Sequence, residues 1–356
     1  MIEVIRCLHD LRALEEEWNL LANARHNPLL RHEWFLSCAE ALHDEANLHV
    51  VTLRKNGRLQ AIAPLVLVKR HGMPRLELLG GAALHEPSGL LYDGADSLME
   101  LCAVITQLPQ PTVLQRLVEP SVLGEPLAKQ AAGRGRLVTL AASSVPYIEI
   151  KSPWESYYNS LSSRRRYDLR HARAKLERSG KVSVEFVRPC EAELERLMQD
   201  NLRIESSGWK GRAGSALMFN LPLQRFMRAY TQHACRLGIL QLCYLKCNNE
   251  SIAMQIGIQY ADRYWVLKIG YDERWAYCSP GMQLTLEAVK YAFDQGLTAY
   301  EFLGVNEPWL RVWTQQSHSA STLLYYPYTI RGLSALGVDV LKYAVKRTVR
   351  SVSRVG

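Results

Sequence analysis

The alternation of apolar and polar positions divides the chain into two runs of elements in the same order. Ile2–Ile5 reads as a short strand, and Leu14, Trp18 and Leu21 share one face of a helix over 11–24. A second helix covers 33–43. Strands at 48–53 and 59–68 form a hairpin around Asn56-Gly57, a pair suited to the positive φ angles of a tight turn. A third strand, 75–79, ends in Gly80-Gly81, and after a loop come a helix at 97–107, a strand at 112–117, a helix at 123–132 and strands around Leu137 and Tyr147. The second run has a strand at 182–187, helices at 191–206 and 223–237, and a hairpin turning at Asn248-Asn249. It continues with a strand at 264–270, a loop, a helix at 281–295 and a strand at 299–303. Asn56 and Asn248, and Ala61 and Ala253, recur at one fixed offset, so the pattern predicts a duplicated α/β (α+β) unit.

The stretch 264–305 organises the second run. Leu286, Val289 and Phe293 give its helix an apolar face, and Gly296 stops it. At the entrance Ser279 is a natural N-cap, Pro280 suits the first helical position and Gly281 leaves the backbone open to an anion. The same Ser-Pro-Gly signal also serves simply to start a helix.

Two basic stretches stand apart. Over 163–178, closed by Gly180, Arg166, Arg170 and Arg173 fall on one helix face while Leu169, Ala172 and Leu176 can pack down. A solvated face and a phosphate- or RNA-binding face both fit this pattern. The final stretch, 331–356, sets Leu333, Leu336, Val340, Leu341, Ala344 and Val345 against Lys342, Lys346, Arg347, Arg350 and Arg354. Docking of this basic helix on the fold is expected ahead of peripheral contact with an anionic membrane.

Composition adds bounds. The 356 residues, 48% hydrophobic and 22% charged, suit two soluble domains, placed at 1–150 and 151–330. No run of about 18 apolar residues suggests a membrane span, and the first residues carry no signal-peptide pattern, so a cytoplasmic location is expected. The eight cysteines include no Cys-x-x-Cys pair, which points to no zinc site and no disulfide framework; Cys278, before the helix start, reads as buried rather than nucleophilic. A formal charge of +8 admits a polyanionic partner without choosing one.

Several motifs resemble one family. Arg166-Tyr-Asp-Leu-Arg170, Leu176-Glu-Arg-Ser-Gly180, Gly270-Tyr-Asp-Glu-Arg274, Ser279-Pro-Gly281 and Tyr300-Glu-Phe-Leu-Gly304 with Glu307 are similar to GNAT-superfamily acyltransferases of the CelD or BcsL-like type, found in polysaccharide biosynthesis clusters and related to the Fem aminoacyl transferases. The resemblance covers about 156–315, and the first half more loosely. It implies tandem GNAT-like folds, each a mixed, mostly antiparallel sheet flanked by helices, with acyl-CoA between splayed strands and its pyrophosphate on the helix entrance. Ser279, Gly281, Met282 and Gln283 become the implied cofactor contacts, with no metal. Val305, Trp309 and Leu310 stand where the family's acidic motif carries glycine, tyrosine and lysine.

Transfer of an acyl group to an amine requires positioning, a route for the ammonium proton and donors for the carbonyl oxygen. Glu205, before the glycine-interrupted segment Gly208-Trp209-Lys210, and Asp272, at a strand end, are the candidate proton acceptors; Tyr271 is the candidate donor to a leaving thiolate. Glu307 and the loop His85-Glu-Pro-Ser-Gly89 are weaker candidates, the loop for acceptor contact. The leading expectation is an N-acyltransferase taking an acyl group from acetyl-CoA or a longer acyl-CoA to an amino sugar or other small-molecule amine, in polysaccharide or secondary-metabolite biosynthesis. The alternatives are a Fem-like transferase with a tRNA-borne donor and a noncatalytic binding module.

Overall fold

Thirteen strands form one continuous sheet that runs through both halves of the chain, in a computed structural model describing residues 1–118, 120–208 and 217–352. In chain order the strands are β1 Ile2–Ile5, β2 Leu48–Lys55, β3 Arg58–Arg70, β4 Met73–Leu78, β5 Leu91–Tyr92, β6 Thr112–Val118 and β7 Gly135–Glu149 in the first half. The second half supplies β8 Val182–Val187, β9 Leu240–Cys247, β10 Glu250–Tyr260, β11 Arg263–Tyr271, β12 Ala299–Glu301 and β13 Ser317–Pro327. Their spatial order is β1-β2-β3-β4-β6-β13-β7-β12-β11-β10-β9-β8, with the short β5 paired to β3 off this path.

The order is that of two similar units exchanging their last strands. β6 of the first half pairs with β13, β12 of the second half pairs with β7, and β7 and β13 lie antiparallel between them. Most neighbours are antiparallel; the parallel pairs are β4 with β6 and β11 with β12. The fold is therefore a tandem of mixed, mostly antiparallel sheets with helices on their faces.

Local sequence explains the frame. Asn56 and Gly57 both take positive φ (50° and 78°), as do Asn248 and Asn249 (49° and 67°), so the repeated hairpins close as read from their turn residues. Cores form on the faces that the apolar periodicity marked. Trp18, Leu29, Phe35 and Ile62 are fully buried and join a cluster that extends into the second half through Phe226, Tyr230 and Ile256. Trp34 meets Phe226 and Tyr230 edge-on at centroid distances of 5.0 and 4.8 Å, knitting the helices His32–Leu42 and Leu221–Arg236 together.

Several local features differ from the sequence expectation. The helix read over 11–24 is broken at Leu14 into Leu8–Ala13 and Glu15–Asn23. The two strands around Leu137 and Tyr147 are one, because β7 spans 15 residues to pair with β13 and then β12. Elements absent from the reading appear, among them β5, β13 and the helices Gly81–Leu84 and Trp154–Ser160. Of the Gly-Trp-Lys segment after Glu205, Trp209 and Lys210 lie outside the described residues.

Candidate active site

β11 and β12 run parallel and in register for three pairs only, Arg263 with Ala299, Tyr264 with Tyr300 and Trp265 with Glu301. β11 then continues to Tyr271 while the chain after Glu301 turns toward β7, where the Phe302 N–H reaches the Pro146 carbonyl at 3.1 Å. The strands splay. Alternate backbone N–H and C=O groups of a strand point to each of its two edges, so beyond Trp265 one edge of β11 faces a gap instead of a neighbour. A cavity of about 690 Å³ opens there, lined by Val266–Tyr271, by the 302–310 segment, by Glu86 and Glu205, and by Ser279, Gly281, Met282 and Thr285 at the start of the helix Pro280–Asp294.

The helix start is narrower as an anion site than its sequence suggested. Ser279 occupies the N-cap position, but with φ 49° it is left-handed and its side chain makes no capping bond. Its carbonyl accepts from the N–H groups of Met282 and Gln283 at 3.0 and 3.1 Å, and Pro280 has no N–H. Gly281 is left as the N–H of this first turn not spent on Ser279. A Cβ at Gly281 would stand 3.2 Å from the Tyr271 ring, so the glycine keeps the entrance clear beside that aromatic wall. The Gln283 side chain points elsewhere: it is buried, absent from the cavity lining, and its Nε2 donates to the Leu169 carbonyl at 2.9 Å. That bond ties the helix Ser163–Ser179 to the helix Pro280–Asp294.

A cation, Arg165, stands behind this entrance. Arg165 lies over the Trp313 ring at 5.1 Å and against the Met282 sulfur at 3.6 Å, and its buried Nε meets no hydrogen-bond acceptor among the described residues. Of the three arginines read on one face, Arg166 bonds the Asn159 carbonyl and side chain, Arg173 pairs with Glu177 and Glu287, and Arg170 is exposed. Leu169 and Leu176 are buried as expected.

Carboxylates from both halves line the cavity as well. Glu205 is buried on the helix Glu191–Ser206, where its backbone packs against Gly270, and its Oε1 lies 2.8 Å from Lys268 Nζ. Glu86 comes from the first half. Its Oε2 accepts the Gly304 N–H at 2.7 Å, and burial pushes its carboxyl up to about 7, against the opposing pull of that bond and of Arg116 and Lys268. Arg116 fixes the junction. Its guanidinium donates to the carbonyls of His85 at 2.6 Å, Gly304 at 2.5 Å and Ser143 at 3.3 Å, so the loop bearing Glu86 is locked to the segment after β12.

Asp272 is placed differently from its companions. It is buried outside the cavity lining and caps the following turn. Burial acts to raise its pKa, but hydrogen bonds from the Arg274 backbone and guanidinium outweigh this and hold the carboxyl below its ordinary range. Tyr271 lines the cavity wall, and Glu307 and Trp309 stand exposed at its rim. Cys278 is fully buried, and that burial raises its thiol pKa. No cluster of His, Cys, Asp or Glu among the described residues is arranged to hold a metal ion.

The corresponding gap in the first half is filled by the protein itself. β4 and β6 pair only at Leu76 with Thr112 and Glu77 with Val113 before diverging. Gln115 then bridges the gap, donating to Glu77 at 2.6 Å and accepting the Leu78 N–H at 3.2 Å, while Ser88 forms a bridge to Leu117. The loop that plugs the first gap is the loop that delivers Glu86 to the second. Glu86, Lys268, Arg116 and Arg165 were all missed by sequence reasoning, although the loop 85–89 had been marked for acceptor contact. A Glu beside a Pro carries no local sign that burial will shift its pKa.

Residues 163–311 match the model of the acetyltransferase (GNAT) domain family. The second half of the chain is thus similar to an acyltransferase domain of that superfamily. No curated protein matches the sequence of this chain. Among solved structures, FemX is similar at 12% identity and a TM-score of 0.60, covering 94% of this chain and 99% of its own. The C-terminal domain of an Agrobacterium fabrum protein assigned as a lysylphosphatidylglycerol synthetase aligns at 8% identity and a TM-score of 0.54, over 93% and 97% of the two chains. L-PGS from Bacillus licheniformis aligns at 14% identity and a TM-score of 0.51, over 89% and 91%. At such identities the likeness is one of fold, and it extends over both halves.

Proposed function

We propose that the chain transfers an acyl group from acyl-CoA to the amine of an amino sugar or another small molecule, with the donor in the β11–β12 gap and residues 1–150 completing the acceptor end. The observation that carries this reading is the splayed strand pair, which opens a cavity lined both by the start of the helix Pro280–Asp294, suited to phosphate, and by the carboxylates Glu86 and Glu205. An extended, amide-bearing arm such as that of coenzyme A can add to the open edge of β11 as a further strand would. The Gly281 N–H and the positive charge of Arg165, whose guanidinium lies against Met282, suit its pyrophosphate.

The acceptor amine arrives as an ammonium, which Glu86, Glu205 and the rim Glu307 attract. The Glu86 carboxylate takes one ammonium proton, the freed nitrogen attacks the thioester carbon, and collapse of the tetrahedral intermediate breaks the carbon–sulfur bond. Tyr271, on the wall by the helix start, is the side chain placed to give its phenol proton to the departing thiolate, and the second proton shed by the nitrogen restores it. Lys268 holds Glu205 in place and lends positive charge beside Glu86. Asp272, held by Arg274, serves the turn that carries Tyr271 toward the helix start. A CelD- or BcsL-like role in polysaccharide assembly agrees with an amino-sugar acceptor.

Calorimetric titration with coenzyme A and acetyl-CoA tests the donor. Binding in the micromolar range, weakly sensitive to salt, is expected, and Gly281→Trp, which fills the entrance against Tyr271, should weaken it at least about 100-fold. Unaltered affinity in that variant would remove the donor from this end of the helix.

A Fem-like reading, with the acyl group carried on tRNA, is favoured by the exposed Arg164, Arg170 and Arg178 on the helix Ser163–Ser179 and by the charge of +8. Under that reading coenzyme A does not bind. RNA binding falls steeply with salt and drops when Arg164, Arg170 and Arg178 are replaced by alanine; salt-insensitive or absent RNA binding excludes it.

A further inference from the structure

The helix Ile330–Val352 lies on the sheet by the side opposite to the one its sequence marks as apolar. It docks through Gly332 and Ala335, both buried, and through Asp339, which receives the buried Arg75 guanidinium and the Tyr326 hydroxyl, the latter at 2.6 Å. Gly332 sits so close to Pro327 that a Cβ there would stand 2.0 Å from its carbonyl oxygen, so this side of the helix is fixed against β13. Ile330, Leu333, Val340 and Leu341 then turn outward, 87%, 51%, 59% and 66% exposed. Their spacing, with Gly337 between, makes one stripe along the helix. Tyr328 and Tyr343 are exposed as well.

The charge of this segment is one-sided. From residue 330 onward the sequence carries Arg331, Lys342, Lys346, Arg347, Arg350 and Arg354, and its only acidic residue is Asp339, already joined to Arg75. No helix among the described residues is long and apolar enough to cross a membrane. An outward apolar stripe within a strongly cationic segment is the composition of a helix that lies in the headgroup layer of a bilayer.

We infer that the helix Ile330–Val352 is a peripheral attachment surface for an anionic phospholipid bilayer, with Ile330, Leu333, Val340 and Leu341 entering the acyl boundary and the net positive charge of the segment drawing it to lipid phosphates. A second copy of the chain is the poorer occupant, since pairing two such helices sets like charges against each other. The attachment is independent of the acyl-transfer site, because no residue of the stripe lines the cavity.

The test is flotation of the purified full chain with vesicles of phosphatidylcholine alone and with about one third phosphatidylglycerol. Recovery with the anionic vesicles should exceed that with the neutral ones at least about tenfold and should fall at about 0.5 M salt. Replacing Leu333, Val340 and Leu341 together by glutamate should abolish recovery with an unchanged Tm, the three being exposed. A second variant, Arg347→Glu with Arg350→Glu, should weaken binding at least about 30-fold, from roughly fivefold per lost charge. Equal recovery on both vesicle types, or triple-variant binding equal to the parent, overturns the inference. So does a dimer in sedimentation equilibrium that the triple substitution dissolves, which would assign the stripe to a second copy.

Discussion

Glu86→Gln is expected to lower kcat for acyl transfer by about 10²–10³-fold with little change in coenzyme A affinity. Glutamine keeps the shape of the side chain, and its amide oxygen can still accept the Gly304 N–H, so the loop stays in place while the proton acceptor is lost. The pH dependence carries the sharper signature. With the Glu86 carboxyl pushed up to about 7, the parent rate should climb as pH rises through that value and the carboxylate forms; in the variant this limb should be absent. The same shift has a stability consequence of defined sign. A carboxyl whose folded pKa lies above its ordinary 4.5 binds its proton more tightly in the folded state, so its stabilising contribution is full below about 4.5 and lost as pH rises through about 7. Glu86→Gln should therefore be at least as stable as the parent above pH 7 by thermal melting. An activity within about threefold of the parent, with the limb intact, would move the role to Glu205, for which Glu205→Gln is the parallel measurement.

Arg116→Ala is expected to destabilise the fold by about 3–5 kcal/mol and to reduce kcat as well. Three carbonyls, those of His85, Ser143 and Gly304, lose their donor at once, and Glu86 loses a nearby positive charge in a buried setting. Arg116→Lys should recover only part of this, because an ammonium is a compact point donor and cannot copy a guanidinium that spans three acceptors. Urea denaturation followed by tryptophan fluorescence reads the effect as a lower midpoint at unchanged slope. A loss below about 1 kcal/mol would mean that strand pairing around β6 and β13, rather than Arg116, holds the junction.

Both effects arise from an asymmetric duplication. In the first unit Gln115 and the loop containing Ser88 close the gap between β4 and β6; in the second the gap between β11 and β12 stays open. Each unit ends on a strand that the other completes, so the loop of the closed unit is carried to the mouth of the open one. The closed half thus lines the cavity of the open half through Glu86.

Local patterns marked what local physics controls. Period-2 and period-3.6 apolar spacing placed the repeated strands and helices, because a residue's face in a strand or helix depends only on its count along the chain. Asn56-Gly57 and Asn248-Asn249 marked the hairpins, because positive φ is a property of the residue itself. The same locality placed Tyr271, Ser279, Gly281 and Met282 beside one another, at the end of a strand and the start of the helix that follows. Other features depended on distant partners. The boundary at Leu14 and the length of β7 were set by tertiary contacts, and the exchange of β7 and β13 joins segments far apart in sequence. Ser279 looked like a capping serine, yet its left-handed backbone left the hydroxyl uncapped. Gln283 looked available, yet the Leu169 carbonyl of another helix claimed it. The C-terminal stripe was visible as apolar residues at helical spacing, but which side docks was decided by Arg75 and Tyr326, which capture Asp339 from the sheet. The sequence by itself determined the repeated unit, its hairpins and the residues at the helix start, since each follows from neighbours along the chain. The tertiary structure alone decided that Glu86 crosses from one unit to the other and that burial raises its pKa, since desolvation comes from atoms the chain brings near only when it folds.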